Sequence, residues 1–304
     1  MRVTIFAGKG GVGKSTIAAA FALRKSSEGK VLAVDYDGGH SLARVFSLNE
    51  ISESNMATPT EINNLGIAII DPIKFKSIVD FQKDGGDICG YLSQFEGDYG
   101  LIPFCDMVNA FFGVPTDPYA VSRFASLTSV YNQADLSDVD DLVIDVEPTA
   151  GLERLLGSMA ATTRSIQNLK RTGIVKLTAL GAFWPDIKAY LQGQFIQSAD
   201  EYARRFVKTS DAVKNAGYFV VCVPESSPVD EMHHVESIIK SYGGKINGRI
   251  VNNIRGEPHE QAQIDRVRSL ADKISTLEVQ HDLRLCDSNT TSRRKSLKIV
   301  GDLF

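Results

Sequence analysis

The chain has 304 residues, 43% of them hydrophobic, enough for a sizeable core in one large domain or two small ones. Lys and Arg number 33 against 37 Asp and Glu, and the net charge of −4 leaves no basic footprint for nucleic acid or an acidic membrane surface. No apolar run reaches the about 18 residues that span a bilayer, and MRVTIFAGKGG lacks the longer apolar stretch of a secretory signal, so a cytoplasmic protein is expected.

In chain order, the β-branched, apolar run Val3–Ala7 reads as a buried parallel strand. Residues Gly8-Lys9-Gly10-Gly11-Val12-Gly13-Lys14-Ser15 follow the spacing G-x-x-x-x-G-K-[ST]. Thr16 opens TIAAAFALRKSSEGK, whose helix formers carry an apolar face at Ile17, Ala20, Phe21 and Leu23. A glycine loop between a strand and a helix turns backbone N–H groups onto phosphates, and the helix dipole adds to them. Lys14 is expected to reach the β- and γ-phosphates and Ser15 to ligate Mg²⁺. Lys9 is surplus to that motif and sits too early in the loop to fold back easily onto its own phosphates.

The next strand, Lys30–Asp37, ends on Asp35 and Asp37. Two acids at the carboxyl end of a strand suit Mg²⁺ chemistry, or they merely end the strand. Asp141–Asp145 is a further apolar strand, and Asp145 at its end is a carboxylate placed to hold Mg²⁺ through water. Residues 218–243 read as strand, loop and helix, and Gly248–Ile254 as another strand. This alternation predicts an α/β fold with a doubly wound, largely parallel sheet.

Residues 74–134 and 152–213 break the alternation. The whole chain thus reads as a single domain, 1–304, with two helical insertions. Ile187, Leu191, Phe195, Tyr202, Phe206 and Val213 fall near a 3.6-residue spacing, which predicts an amphipathic helix over 186–214 that starts at Trp184-Pro185. Apolar faces of this kind serve as core or as a groove. Cys89, Cys105, Cys222 and Cys286 are scattered and read as buried thiols, with a spatial site built on Cys89 and Cys105 as the alternative. His233 and His234 are adjacent in a helical pattern and read as solvent-facing.

The stretch G-K-G-G-V-G-K-S-T resembles the deviant Walker A loop of dimeric P-loop ATPases, in which the first lysine reaches the partner's nucleotide. Within that class, Asp37, His40, Ser41 and Leu42 match the D-P-A-H-S-L segment of the arsenite-pump and tail-anchored-protein targeting ATPases. Pro148-Thr149 and Leu155-Leu156 match a second segment of the same families. Glu147 departs from it, and Ala150-Gly151-Leu152-Glu153 is similar instead to division-site and nickel-insertion ATPases.

The resemblance implies a Mg²⁺-dependent, homodimeric ATPase with Gly8 to Thr16 around ATP. In it Lys9 acts in trans, Asp37 orients water, and Glu147 is either a second catalytic carboxylate or a γ-phosphate sensor. Asn252, in GRIVNNI, matches the residue that reads the adenine. EVQHDLRLC falls where these families carry an adenine-covering loop. The insertions resemble the helical subdomain that, in the targeting ATPases, forms a groove for a client's transmembrane helix. Three roles follow from the resemblance: a targeting chaperone, an arsenite or antimonite motor for a membrane pump, and an ATP-timed positioning or metal-insertion switch.

Overall fold

The computed structural model describes residues 1–36, 38–48, 57–70, 118–146, 148–168, 196–270, 274–281 and 290–304. Eight strands among these residues form one sheet: β1 (Arg2–Gly8), β2 (Val31–Asp35), β3 (Thr58–Pro59), β4 (Leu65–Ile69), β5 (Asp141–Asp145), β6 (Gly217–Cys222), β7 (Lys245–Ile254) and β8 (Ser275–Gln280). The helices described are α1 (Lys14–Ser26), α2 (Ser41–Val45), α3 (Pro118–Leu136), α4 (Thr149–Asn168), α5 (Ile196–Lys214), α6 (Ser226–Ser241), α7 (Pro258–Arg268) and α8 (Thr290–Gly301).

The sheet order is β3-β4-β2-β5-β1-β6-β7-β8. Every neighbouring pair is parallel except β3–β4. The doubly wound α/β fold expected from the alternation is the fold observed. β1 lies between β5 and β6, at the point where the winding reverses, so the loop that leaves its carboxyl end opens into the crevice that such sheets use for ligands.

The central strands are buried on both faces, which is why their sequences are continuous apolar runs rather than alternating ones. Phe6 joins Val143, Val221 and Ile250 in one core cluster with Ile17 and Phe21 of α1 and with Leu297 and Val300 of α8. Ile5 and Ala7, the alternate residues of β1, are fully buried and point to the opposite face, where α6 packs on β1, β6 and β7. Gly301 lets α8 lie close on α1, since a Cβ there would sit 2.6 Å from the Ala20 carbonyl oxygen. A buried ion pair pins α6 to β7, with Arg249 Nε and Nη2 donating to the two Glu236 carboxylate oxygens at 2.6 and 3.0 Å.

The chain divides into two compact units. The first takes Met1–Asp71, Val130–Arg154 and Asp211–Phe304 and holds the sheet. The second takes Pro72–Ser129 and Leu155–Ser210, and what is described of it is helical. In that second unit Phe124, Leu127, Leu155, Leu156 and Met159 are buried, the Phe124 and Phe206 rings lie 5.8 Å apart, and the Thr163 and Ser210 hydroxyls bond at 2.9 Å. Most described apolar side chains there are core, with Phe206 and Val207 half-buried. α5 is observed from Ile196, and residues 186–195 of the expected helix lie outside the described residues.

Candidate nucleotide site

β1 places the glycine loop. Its residues pair with β5 on one side, Phe6 opposite Asp145, and with β6 on the other, Gly8 opposite Val221. Gly8 has no room for a side chain, because a Cβ would overlap the Val221 carbonyl. Gly11 and Gly13 take φ of 81° and 85°, the left-handed conformation that turns successive amides inward. Val12 is buried in the core and anchors the loop between them.

Gly13 is the N-cap of α1 and brings no side-chain cap, and the first turn carries no acid. The amides at the start of a helix have no intrahelical acceptor, so this terminus presents donors and a positive dipole with no carboxylate of its own. Lys14 is buried, and its Nζ donates to the Lys9 carbonyl at 2.9 Å, lying back across the loop. Ser15 and Thr16 follow in the first turn, both half-buried.

Asp145 ends β5 and is buried, with Asp35 of β2 directly beside it in register and equally buried. The Asp35 carboxylate accepts the Leu42 amide at 3.0 Å, which ties the start of α2 to the end of β2. The turn between them uses Gly38 and His40 at φ of 68° and 56°. The Ser15 hydroxyl and the Asp145 carboxylate, the latter opposite Phe6 near the end of β1, are hard oxygen donors of the kind that suits Mg²⁺. Asp37 and Glu147 lie outside the described residues, as do Cys89, Cys105 and Cys286.

Asn252 takes a position its spacing alone does not reveal. Its Nδ2 donates to the Val12 carbonyl at 2.8 Å, bracing the loop from β7, and it lies against Gly13. EVQ, expected to begin a loop, instead ends β8, where Glu278 and Gln280 pair with β7. Cys222 is buried at the end of β6, and burial, with Glu236 adding to it, pushes its thiol up to about 12, so it is a packed group and not a thiolate ligand. His233 is half-buried and His234 exposed.

Two residues at this site, Ser227 and Glu231, escaped the sequence reading. Lys9 Nζ donates to Ser227 Oγ at 2.7 Å and lies 3.8 Å from Glu231. Glu231 in turn accepts from Thr149 Oγ1 at 2.5 Å. Pro148 stands beside Gly10, 3.4 Å from where a Cβ would be. The loop, the start of α4 and the start of α6 therefore meet at one place. The S-x-x-x-E spacing of Ser227 and Glu231 marks a shared helix face, but nothing local links it to a lysine 218 residues earlier.

A sequence model of anion-transporting ATPases matches residues 1–276. The chain belongs to the anion-transporting ATPase family. It is similar to a protein of Aquifex aeolicus provisionally named arsenical pump-driving ATPase 2, at 27% identity over 92% of this chain and 89% of the relative. It is similar to ATPase GET3C of Arabidopsis thaliana at 23% identity, over 99% of this chain and 81% of the relative. A third relative, from Prosthecochloris vibrioformis and provisionally named an arsenical pump-driving ATPase, is 23% identical over 90% of this chain and 66% of its own length. As a member of the anion-transporting ATPase family the protein binds nucleotide and hydrolyses ATP. Among the described residues no helix is long and apolar enough to cross a membrane.

Proposed function

We propose that the protein is a deviant Walker A ATPase that works as a nucleotide-gated homodimeric switch. The observation that carries this reading is the direction of Lys9. Its ammonium is held on α6, while Lys14 alone lies across the loop. A lysine that the loop does not need for its own phosphates is available to a second copy, as an arginine finger is. Loop amides from Gly8, Gly10, Gly11 and Gly13, with Lys14, hold the phosphates, and Thr16 adds its hydroxyl. Ser15 and Asp145 hold Mg²⁺, the latter through water. When bound, the metal neutralises charge on the β- and γ-phosphates. Asp37 orients the attacking water and Glu147 responds to the γ-phosphate. Asn252 positions the loop through Val12 and faces the base.

Turnover measured over a dilution series tests the dimer, with specific activity expected to rise with protein concentration. Lys9→Ala is expected to keep nucleotide binding and lose on the order of 10³-fold in turnover. Normal turnover in that variant would sink the trans role.

For the client, the first reading is targeting of tail-anchored membrane proteins; the helical second unit and the H-S-L segment after β2 support it and a pump motor alike. The second reading, a motor for an arsenite or antimonite pump, is favoured by the name of the Aquifex aeolicus relative. A soluble carrier of a transmembrane helix that co-elutes with the ATP-bound protein favours the first. Turnover stimulated by antimonite, with no helix bound, favours the second. Neither effect, with nucleotide-gated affinity for a protein surface or metal, leaves the positioning or metal-insertion switch.

A further inference from the structure

Lys9 is held by groups that the phosphate chemistry does not use. Ser227 is the second residue of α6, and Glu231 lies one turn further along the same face. The ammonium donates to Ser227 Oγ at 2.7 Å and stands 3.8 Å from Glu231 Oε2, with the two side chains 36% and 31% exposed. The other carboxylate oxygen, Oε1, is taken by the Thr149 hydroxyl, at the first residue of α4. Thr149 thereby fixes the Glu231 rotamer from one side, and Lys9 meets it from the other.

This is an unfavourable end of a helix for a cation. The N-terminus of α6 carries the positive end of the dipole, and beyond the exposed N-cap Glu225 it has no acid in its first turn. Ser227 offers a neutral oxygen. The carboxylate in ion-pair range of the ammonium is that of Glu231. A partly exposed pair of this kind shifts an equilibrium only a few-fold, so the lysine is held weakly. A triphosphate, with several negative charges on adjacent oxygens, outcompetes one carboxylate for the same ammonium. One ammonium cannot sit on α6 and on the nucleotide of a second copy at the same time.

We propose that Ser227 and Glu231 form a dock for Lys9 within its own chain, and that Glu231 is a positioning residue that sets how readily the lysine leaves for a second copy. The proposal rests on the trans role of Lys9. In it the dock opposes dimer-dependent hydrolysis: the stronger the hold on Lys9, the more protein is needed to reach half-maximal turnover.

Two variants test it. Glu231→Gln keeps the volume and an acceptor for Thr149 while removing the charge. Ser227→Ala removes the hydroxyl. The first readout needs no dimer: the rate at which an amine-acetylating ester labels Lys9 in protein without added nucleotide, read by peptide mass mapping with Lys30 as the internal reference. Both variants are expected to speed Lys9 labelling about two- to five-fold and leave Lys30 alone. The second readout is the protein concentration at half-maximal turnover, expected to fall by a similar factor. Unchanged Lys9 labelling in both variants overturns the dock. Faster labelling with no shift in the half-maximal concentration overturns the positioning role. If wild-type turnover does not depend on protein concentration, the trans reading has failed, and the labelling rates still decide the dock by themselves. A merely structural role for Glu231 would lower the unfolding midpoint and speed the labelling of Lys9 and Lys30 alike.

Discussion

The loop between β1 and α1 and the loop between β7 and α7 both run from a parallel strand into a helix, and both use glycine at positive φ, 81° and 85° at Gly11 and Gly13 and 82° at Gly256. They are completed in opposite ways. In the second loop the Glu260 carboxylate accepts the amides of Arg255, Gly256 and Glu257 at 3.0, 2.8 and 3.0 Å, and Glu257 and Glu260 form a reciprocal capping box. A carboxylate of the chain itself fills the nest. In the first loop the N-cap is a glycine with no side-chain cap and no acid in the turn that follows. The same backbone device is thus closed by the chain's own carboxylate in the second loop and has no such carboxylate in the first, as the proposed phosphate site requires.

The most severe way to break the comparison is Lys14→Ala. It removes the ammonium from the loop meant for phosphate, and nucleotide affinity and turnover are expected to fall together by about 10²–10³-fold. Near-normal binding by calorimetry would mean that the β1–α1 loop does not hold the phosphates.

Gly13→Ala is the next largest. It combines a positive φ with a clash against the Asn252 amide, and a cost of about 1–3 kcal/mol is expected in stability or nucleotide affinity. Pairing it with Asn252→Ala relieves the clash but not the φ strain. The double variant should therefore recover part of the loss, and full recovery would show that the left-handed conformation is not required.

Glu260→Gln probes the closed nest and is expected to be milder. Burial by itself would raise the Glu260 carboxyl, but the amides of Glu257, Arg255 and Gly256 outweigh it and hold the group below the usual 4.5. A carboxylate lowered in the folded state contributes stability above its unfolded value, and that contribution is lost as pH falls through the folded value. Urea midpoints of wild type and variant should differ at about pH 7 and draw together as the pH falls below the lowered folded-state value. A gap that stays constant would show that the nest does not depend on the charge. Nucleotide turnover is expected to be untouched, which is the contrast with Lys14.

The smallest effect is expected at Cys222. A thiol pushed up to about 12 should resist alkylation in the folded protein, and Cys222→Ser should leave any antimonite response unchanged. Loss of that response would give this buried group a role that its surroundings do not suggest.

Much of the sheet was legible because its signals are local. Val3–Ala7, Asp141–Asp145 and the strand before Cys222 are short apolar runs bounded by polar or glycine positions, and buried parallel strands require that pattern. The same holds for Lys14–Ser26, whose helix formers follow a glycine loop. β8 was not legible. It sits at an edge, paired with β7 alone, so it carries Glu278 and Gln280 on partly exposed positions and resembles a polar loop when read alone. α2 held a subtler point. Asp35 looked like one of two acids at a strand end, and its carboxylate turned out to take the Leu42 amide.

The sequence by itself determined that a glycine loop of phosphate-binding spacing sits between a strand and a helix, that a surplus lysine stands in it, and that an acid ends the strand beside it. These depend on spacing within a few residues, and the backbone obeys such spacing wherever the segment lies. Only the tertiary structure decided where the side chains of that loop go. Asn252 reaches the Val12 carbonyl because the sheet order sets β7 two strands from β1. Lys9 meets Ser227, 218 residues away, because α6 starts at the same carboxyl edge from which the loop leaves. A charge finds its partner across space, and strand order, which no local pattern records, sets which parts of the chain share that space.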